Sequence, residues 1–229
     1  MLRAILFDFD GVIADSEPAH LRAFQDAVAA EGIALDEETY YNHYIGLPDR
    51  ACLRAILGDA GKGVTEEAFE ALFRHKSARY LDTLREGAVV MPGAAEFIHR
   101  ASARYPLAIA SGALRNEIEL VLDQADLRAC FVDIVSAEDV RLGKPHPEPF
   151  LAALSSLNRR IGAFPLIPPG ECLVVEDALH GITAAHEAGM KCLAVATSCP
   201  IYRLGAADMV APSLEGVALG RIEDMFSTA

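Results

Sequence analysis

Leu6-Phe7-Asp8-Phe9-Asp10-Gly11-Val12 is the stretch from which the rest of the chain can be placed. The apolar run from Ala4 to Phe7 reads as a buried strand, and it ends in two carboxylates spaced two apart with a glycine behind them. Open α/β sheets bind ligands outside the carboxyl ends of their strands, so acids at that point are placed for chemistry. A carboxylate can attack phosphorus as a covalent nucleophile. A second carboxyl two residues on can protonate a leaving oxygen and later activate water. Gly11 permits the tight turn the pair requires. Asp-Gly also ends many strands simply as a turn, and the pair alone leaves both readings open.

Beyond Gly11 the pattern turns helical. Ser16 reads as an N-cap, and Leu21, Phe24 and Val28 recur at helical spacing up to Gly32. Asp36, Pro48-Asp49 and Thr65 open three more helices, the last with Phe69, Leu72, Phe73, Tyr80 and Leu84 on one face. No strand is predicted between Ala14 and Glu86. From Pro106 onward, strands at 107–110, 132–135, 172–175, 192–196 and around 209–210 alternate with helices. Runs apolar on both faces predict a parallel sheet covered on both sides. The stretch 158–170, with Pro165, Pro168 and Pro169, reads as an irregular connection. The predicted fold is α/β, a doubly wound, Rossmann-like parallel sheet built from residues 1–14 and 88–229. A helical bundle, residues 15–87, interrupts it just after the first strand, where it would serve as a lid.

Composition narrows the partners. The chain has 229 residues, 52% hydrophobic and 23% charged, which is enough to bury a real core. A net charge of −13 argues against nucleic acid or an anionic membrane as partner. A phosphorylated substrate would then need local positive groups or a metal. Cys52, Cys130, Cys172, Cys192 and Cys199 form no CxxC pair and read as free thiols in a reducing cytosol. No apolar run approaches the ~20 residues of a membrane span, and Asp8 interrupts any signal-peptide core. The expectation is a cytoplasmic protein acting on a small molecule.

Three later strand ends carry polar groups. If Glu176 and Asp177 join Asp8 and Asp10, four carboxylates share one mouth. At ~4 Å and an effective dielectric of ~20, each like-charged pair costs on the order of 4 kcal/mol. Such a cluster calls for a cation, and hard oxygen ligands beside a phosphate point to Mg²⁺. A solvated acidic loop, with Asp177 capping the next helix, is the other reading. Ser111 and Gly112 precede a helix, where a hydroxyl and free N–H groups make an anion site or a plain N-cap. Lys144, in Gly143-Lys144-Pro145, could neutralise phosphoryl oxygens and the nucleophile, or stand solvated.

Together, Asp8-Phe-Asp-Gly-Val-Ile-Ala-Asp-Ser16, Ser111, Gly143-Lys144-Pro145 and Val175-Glu176-Asp177 with Gly181 resemble the four motifs of the haloacid dehalogenase superfamily. They stand in that family's order over nearly the whole chain. The resemblance implies Asp8 as nucleophile, Asp10 as acid/base, and Ser111 and Lys144 as phosphate ligands. It implies Mg²⁺ held by Asp8, the Asp10 carbonyl and Asp177, with Glu176 contributing directly or through water. The helical insert resembles the four-helix cap of the beta-phosphoglucomutase-like phosphatases.

Within that insert, His20 matches a histidine that follows the first motif in beta-phosphoglucomutase, or it packs on its own helix. Lys76 falls on the Phe69, Phe73, Tyr80, Leu84 stripe, so it either faces a ligand or snorkels past the core. Gly46-Leu-Pro-Asp-Arg50 resembles the mutase's substrate loop, with its arginine one residue late. The expected activity is Mg²⁺-dependent hydrolysis of a small sugar phosphate through an aspartyl phosphate. A phosphomutase, in which a sugar-phosphate hydroxyl replaces water as acceptor, is the alternative. A non-enzymatic phosphoacceptor switch would lack Asp10's role and any insert. Closure of a lid over the site fits a monomer.

Overall fold

The first strand, β1 (Ala4–Phe7), is buried along its whole length and lies in the interior of the sheet that it starts. A computed structural model describes residues 1–45 and 47–227. After β1 come α1 (Glu17–Ala29), α2 (Glu37–His43), α3 (Asp49–Asp59) and α4 (Glu66–Glu86). Next are α5 (Ala94–Ser102), β2 (Leu107–Ala110), α6 (Arg115–Gln124), β3 (Phe131–Val135) and α7 (Glu148–Ile161). The series closes with β4 (Cys172–Glu176), α8 (Leu179–Glu187), β5 (Lys191–Val195), β6 (Met209–Ala211) and α9 (Leu219–Met225). Two compact units result: Met1–Asp15 with Val89–Ala229, and the intervening Ser16–Ala88.

In the first unit the strands are all parallel, in the order β3-β2-β1-β4-β5-β6. The chain winds outward from β1 to β3, then crosses back to lay β4 on the other side of β1. That reversal is the point where a doubly wound sheet opens its ligand crevice. Phe7 is in register with Ile109 of β2 and Val175 of β4, so the three strands leave the sheet at one level. Leu6, Val174 and Cys192 pack on one face with Phe150 and Leu154 of α7 and Ile182 and Ala185 of α8. Phe7 packs edge-on against Phe97 at 6.1 Å and Phe131 at 5.7 Å between ring centres. Full burial of such a ring contributes about 1.5–3 kcal/mol. These apolar contacts hold the strand exit rigid.

The 158–170 connection is shorter than expected, because α7 continues through Ile161. Asn158 ends up buried. Its side-chain amide donates to the Ile167 carbonyl at 3.0 Å, and its oxygen accepts from the Ile167 N–H at 2.9 Å. That two-way bond presses Ile167 into the core under α7. Asn158 read as the start of the proline-rich connection, yet it lies in α7 and its polarity is spent on that loop's backbone.

In the second unit α1 packs along α4, and Phe24, Val28, Tyr40, Leu53, Leu57 and Phe69 form its core. Asp36 and Thr65 cap α2 and α4 by accepting from the Thr39 N–H at 2.8 Å and the Ala68 N–H at 3.2 Å. Each such cap is worth about 1 kcal/mol. Ser16 holds the N-cap position of α1 but makes no capping bond through its side chain, and Pro18 stands in the first turn with its φ already set for the helix. Cys52, Cys172 and Cys192 are buried, Cys130 and Cys199 partly so, and all five thiols are free. Among the described residues no helix is long and apolar enough to cross a membrane.

Candidate active site

Asp8 is the first residue beyond β1, and its N–H donates to the Val175 carbonyl at 2.9 Å, which extends the β1–β4 ladder by one rung. The chain then turns sharply. Phe9 O accepts from the Ile13 and Ala14 N–H groups, and the Gly11 N–H donates to Ala14 O at 2.8 Å. Gly11 takes φ +72°, a conformation other residues rarely adopt. Asp10 lies on this turn and adds to the negative potential at Asp8.

Lys144 reaches the same point from the loop between β3 and α7. Its Nζ donates to Asp8 Oδ1 at 2.6 Å and to Glu176 Oε1 at 2.7 Å. Glu176 ends β4 fully buried, and its second oxygen accepts from the Asp177 and Ala178 N–H groups at 2.8 and 3.0 Å. A Cβ on Gly181 would lie 1.8 Å from that carboxyl group, so α8 can pass there only as glycine. Asp177 follows, its Oδ2 accepting from the Ser198 hydroxyl. Ser111 leaves β2 beside Asp8, buried, with its N–H on Val135 O at 2.9 Å. It is not the helix cap that the sequence allowed. Its Oγ accepts from the Ala113 N–H at 3.0 Å, while α6 starts at Arg115 with the Leu114 N–H on the Glu117 carboxylate. Gly112, between them, is exposed and leaves open space where a side chain would stand.

Electrostatics divide these carboxylates. Burial, with Glu176 and Asp10 adding to it against Lys144, pushes the Asp8 carboxyl up to about 7. Burial and the charges of Glu176 and Asp8 also raise Asp177 well above the usual range. Burial acts on Glu176 in the same direction, but Lys144 and two backbone N–H groups outweigh it and hold that carboxyl low. Lys144, although buried, is raised by Asp8 and Glu176 and stays charged. One ammonium therefore faces more carboxylate charge than it can balance. Oxygens of Asp8, Glu176 and Asp177 lie within 4.8 Å of one another. Hard oxygen donors with surplus negative charge fit a divalent cation of the Mg²⁺ type. Glu176 already spends both oxygens on Lys144 and the backbone. Asp8 and Asp177 each keep one oxygen beyond the bonds described above.

The helical unit carries a polar cluster of its own. Lys76 is 1% exposed, with its Nζ bonded to Asp49 Oδ2, 2.8 Å from His20 Nδ1 and over the rings of Phe24 and Tyr80. His20 stacks on Tyr80 at 4.0 Å and lies 3.3 Å from Asp49 Oδ1. Burial works to raise the Asp49 carboxyl, but His20 and Lys76 overcome it and hold it well below the usual range. The Lys76 charge is thus met inside the unit, which is why a lysine can sit on the apolar stripe. Arg50 does not join the cluster. It pairs with Glu70 and lies 4.6 Å over Phe73, exposed. Gly46, the start of the loop motif, lies outside the described residues.

A family model for haloacid dehalogenase-like hydrolases matches residues 2–189. The chain belongs to that family. Hexitol phosphatase A of Escherichia coli is 32% identical over 219 residues, which cover 95% of this chain and 94% of that one. Among solved structures, beta-phosphoglucomutase from Clostridium difficile superposes with a TM-score of 0.81 at 26% identity, covering 99% and 97% of the two chains. CbbY from Rhodobacter sphaeroides, in complex with xylulose 1,5-bisphosphate, gives 0.81 at 26% identity over 95% and 97%. These neighbours share the sheet and the helical insert of this haloacid dehalogenase-like hydrolase.

Sequence reading missed the roles of three side chains in this hydrolase. Thr197 and Ser198 follow β5, and their hydroxyls bond Gly11 O and Asp177. The signal was available: a buried strand with a polar exit, the same form as Ser111. Asp49 was read as a helix start within the loop motif and not as a partner of Lys76, because nothing in its neighbourhood announces a lysine far along the chain.

Proposed function

We propose that this chain is a Mg²⁺-dependent phosphoric monoester hydrolase acting on a small sugar or polyol phosphate. The observation that carries it is Lys144 bridging Asp8 and Glu176 at the switch point of the sheet, beside the exits of Ser111 and Asp177. Asp8 is the nucleophile: its carboxylate bonds to phosphorus as the bond to the substrate's ester oxygen breaks. Asp10 protonates the departing oxygen, then takes a proton from the water that attacks the aspartyl phosphate. Inorganic phosphate leaves and Asp8 is restored. Lys144 and the Ser111 hydroxyl bind the non-bridging phosphoryl oxygens, aided by N–H groups around Gly112. Asp8, Asp177 and the Asp10 carbonyl would hold Mg²⁺, with Glu176 acting chiefly through Lys144. When bound, the ion supplies positive charge that lets an anionic ester approach Asp8.

The helical insert is the cap in this proposal, and His20, Lys76 and Arg50 are its candidate substrate contacts. The core closes the point of insertion with a bond from the Asp15 N–H to Val89 O at 2.8 Å. Two relatives motivate the substrate class, a hexitol phosphatase and a protein crystallised with a pentulose bisphosphate. A phosphomutase must also hold the second phosphate of a bisphosphate. Pairing of Lys76 with Asp49 and of Arg50 with Glu70 leaves little cationic charge for that purpose, which supports hydrolysis. The deciding experiment is a phosphate-release screen over sugar and polyol phosphates with and without Mg²⁺, run beside conversion of beta-glucose 1-phosphate to glucose 6-phosphate. Phosphate release that needs Mg²⁺ and disappears in Asp8→Asn is expected. Isomerisation without release would establish the mutase instead.

A further inference from the structure

The loop after β5 grips the site at three consecutive residues. The Thr197 hydroxyl donates to the Gly11 carbonyl at 2.6 Å. Ser198 donates to Asp177 Oδ2, and the Cys199 thiol lies 3.7 Å from the Asp177 carbonyl. Gly11 is pinned on its other side by its N–H bond to Ala14 O. A Cβ at Gly11 would stand 2.0 Å from Asp177 Oδ2 and 2.6 Å from Ser198 Oγ. Carboxylate and hydroxyl therefore occupy the space that the glycine leaves, and the turn and Asp177 fit in one arrangement.

We propose that Thr197 and Ser198 are positioning residues for the cation site, an inference that rests on the Mg²⁺-dependent reading above. Ser198 occupies Oδ2 of Asp177 and leaves Oδ1 for the ion. Thr197 fixes the peptide that follows Gly11, next along the chain from the Asp10 carbonyl proposed as a ligand, while the Gly11 N–H bond to Ala14 O holds the peptide that contains that carbonyl. An aspartate held this way gives up its side-chain freedom on folding, so binding the ion does not have to fix it again. Neither hydroxyl touches the ion or the phosphoryl group in this assignment.

Mn²⁺ affinity tests it, read on the full chain from the EPR signal of free Mn²⁺, without substrate. Ser198→Ala is expected to weaken binding by about 10- to 100-fold, the range typical of groups that orient metal ligands. Thr197→Val, which keeps shape and loses the hydroxyl, is expected to weaken binding about tenfold. Ser198→Thr keeps a hydroxyl and is expected to stay within about threefold of wild type. Unchanged affinity in Ser198→Ala, or an equal loss in Ser198→Thr, overturns the proposal. Should Ser198→Ala fail to fold, Thr197→Val and Ser198→Thr decide between the same outcomes. A wild-type chain that binds no Mn²⁺ would instead sink the underlying cation-site reading.

Discussion

Lys144 Nζ stands 2.7 Å from Glu176 Oε1, and the Glu176 side chain is 0% exposed. A carboxylate without water keeps its charge only because the ammonium and two N–H groups face it. The pair therefore supports the fold as well as the site. Lys144→Met should destabilise the protein by about 3–5 kcal/mol, the cost of leaving a buried charge alone. Adding Glu176→Gln should restore much of that loss while activity stays absent. Urea unfolding and phosphate release, measured on both variants, check the two halves separately.

Gly181→Ala tests whether the glycine on α8 is there for room. The added methyl would meet the Glu176 carboxyl at 1.8 Å. Glu176 must shift and drag Lys144 with it. Overpacking of this kind costs about 1–3 kcal/mol. A displacement of ~1 Å at Lys144 should lower kcat by roughly 10²-fold. Wild-type kcat in this variant would show that Glu176 does not position the lysine.

Asp49→Asn frees the charge of Lys76 within the helical unit. Asp49 is 34% exposed, so water offsets part of the loss, and destabilisation of about 1–3 kcal/mol is expected. If the cap selects substrates by charge, kcat/KM for a sugar bisphosphate should rise relative to the monophosphate. An unchanged ratio would count against His20, Asp49 and Lys76 as substrate selectors.

Asp139 offers a pH signature away from the acidic cluster. Burial tends to raise its carboxyl, but the Ser136 N–H and hydroxyl, both at 2.8 Å, and Arg115 at 2.7 Å hold it below the usual range. A carboxyl depressed in the folded state contributes stability that is fully present above its unfolded value of ~3.9 and lost as pH falls through the folded one. The stability gap between wild type and Asp139→Asn should hold steady above about pH 5 and shrink below about pH 4. Urea titrations across that range measure it.

Legibility of the site in the sequence followed from how local each signal is. β1, β2 and β4 declare themselves because a strand buried on both faces must be apolar at every position, so Asp8, Ser111 and Glu176 stand out as breaks. Lys144 needed the company of the other motifs, since one lysine in a Gly-Lys-Pro loop reads equally well as surface. Asp49 was opaque because it acts on a partner brought near only by tertiary structure, 27 residues away, whereas Ser198 carried the readable signal of a polar exit from a buried strand. The connection at 158–170 reads too long because its prolines mark where a helix cannot run, not where α7 ends at Ile161.

The sheet order has a consequence for how this protein is made. β1 is synthesised before both of its pairing partners, Leu107–Ile109 and Cys172–Val175. Contacts of such separation close late, after costly loop entropy has been met. During synthesis the strand that precedes Asp8 therefore waits as an exposed apolar segment until β2 and β4 follow. Asp8 meets Lys144 and Glu176 only after β4 has been made. A nascent chain that stops short of Glu176 therefore cannot assemble the cluster of Asp8, Lys144 and Glu176.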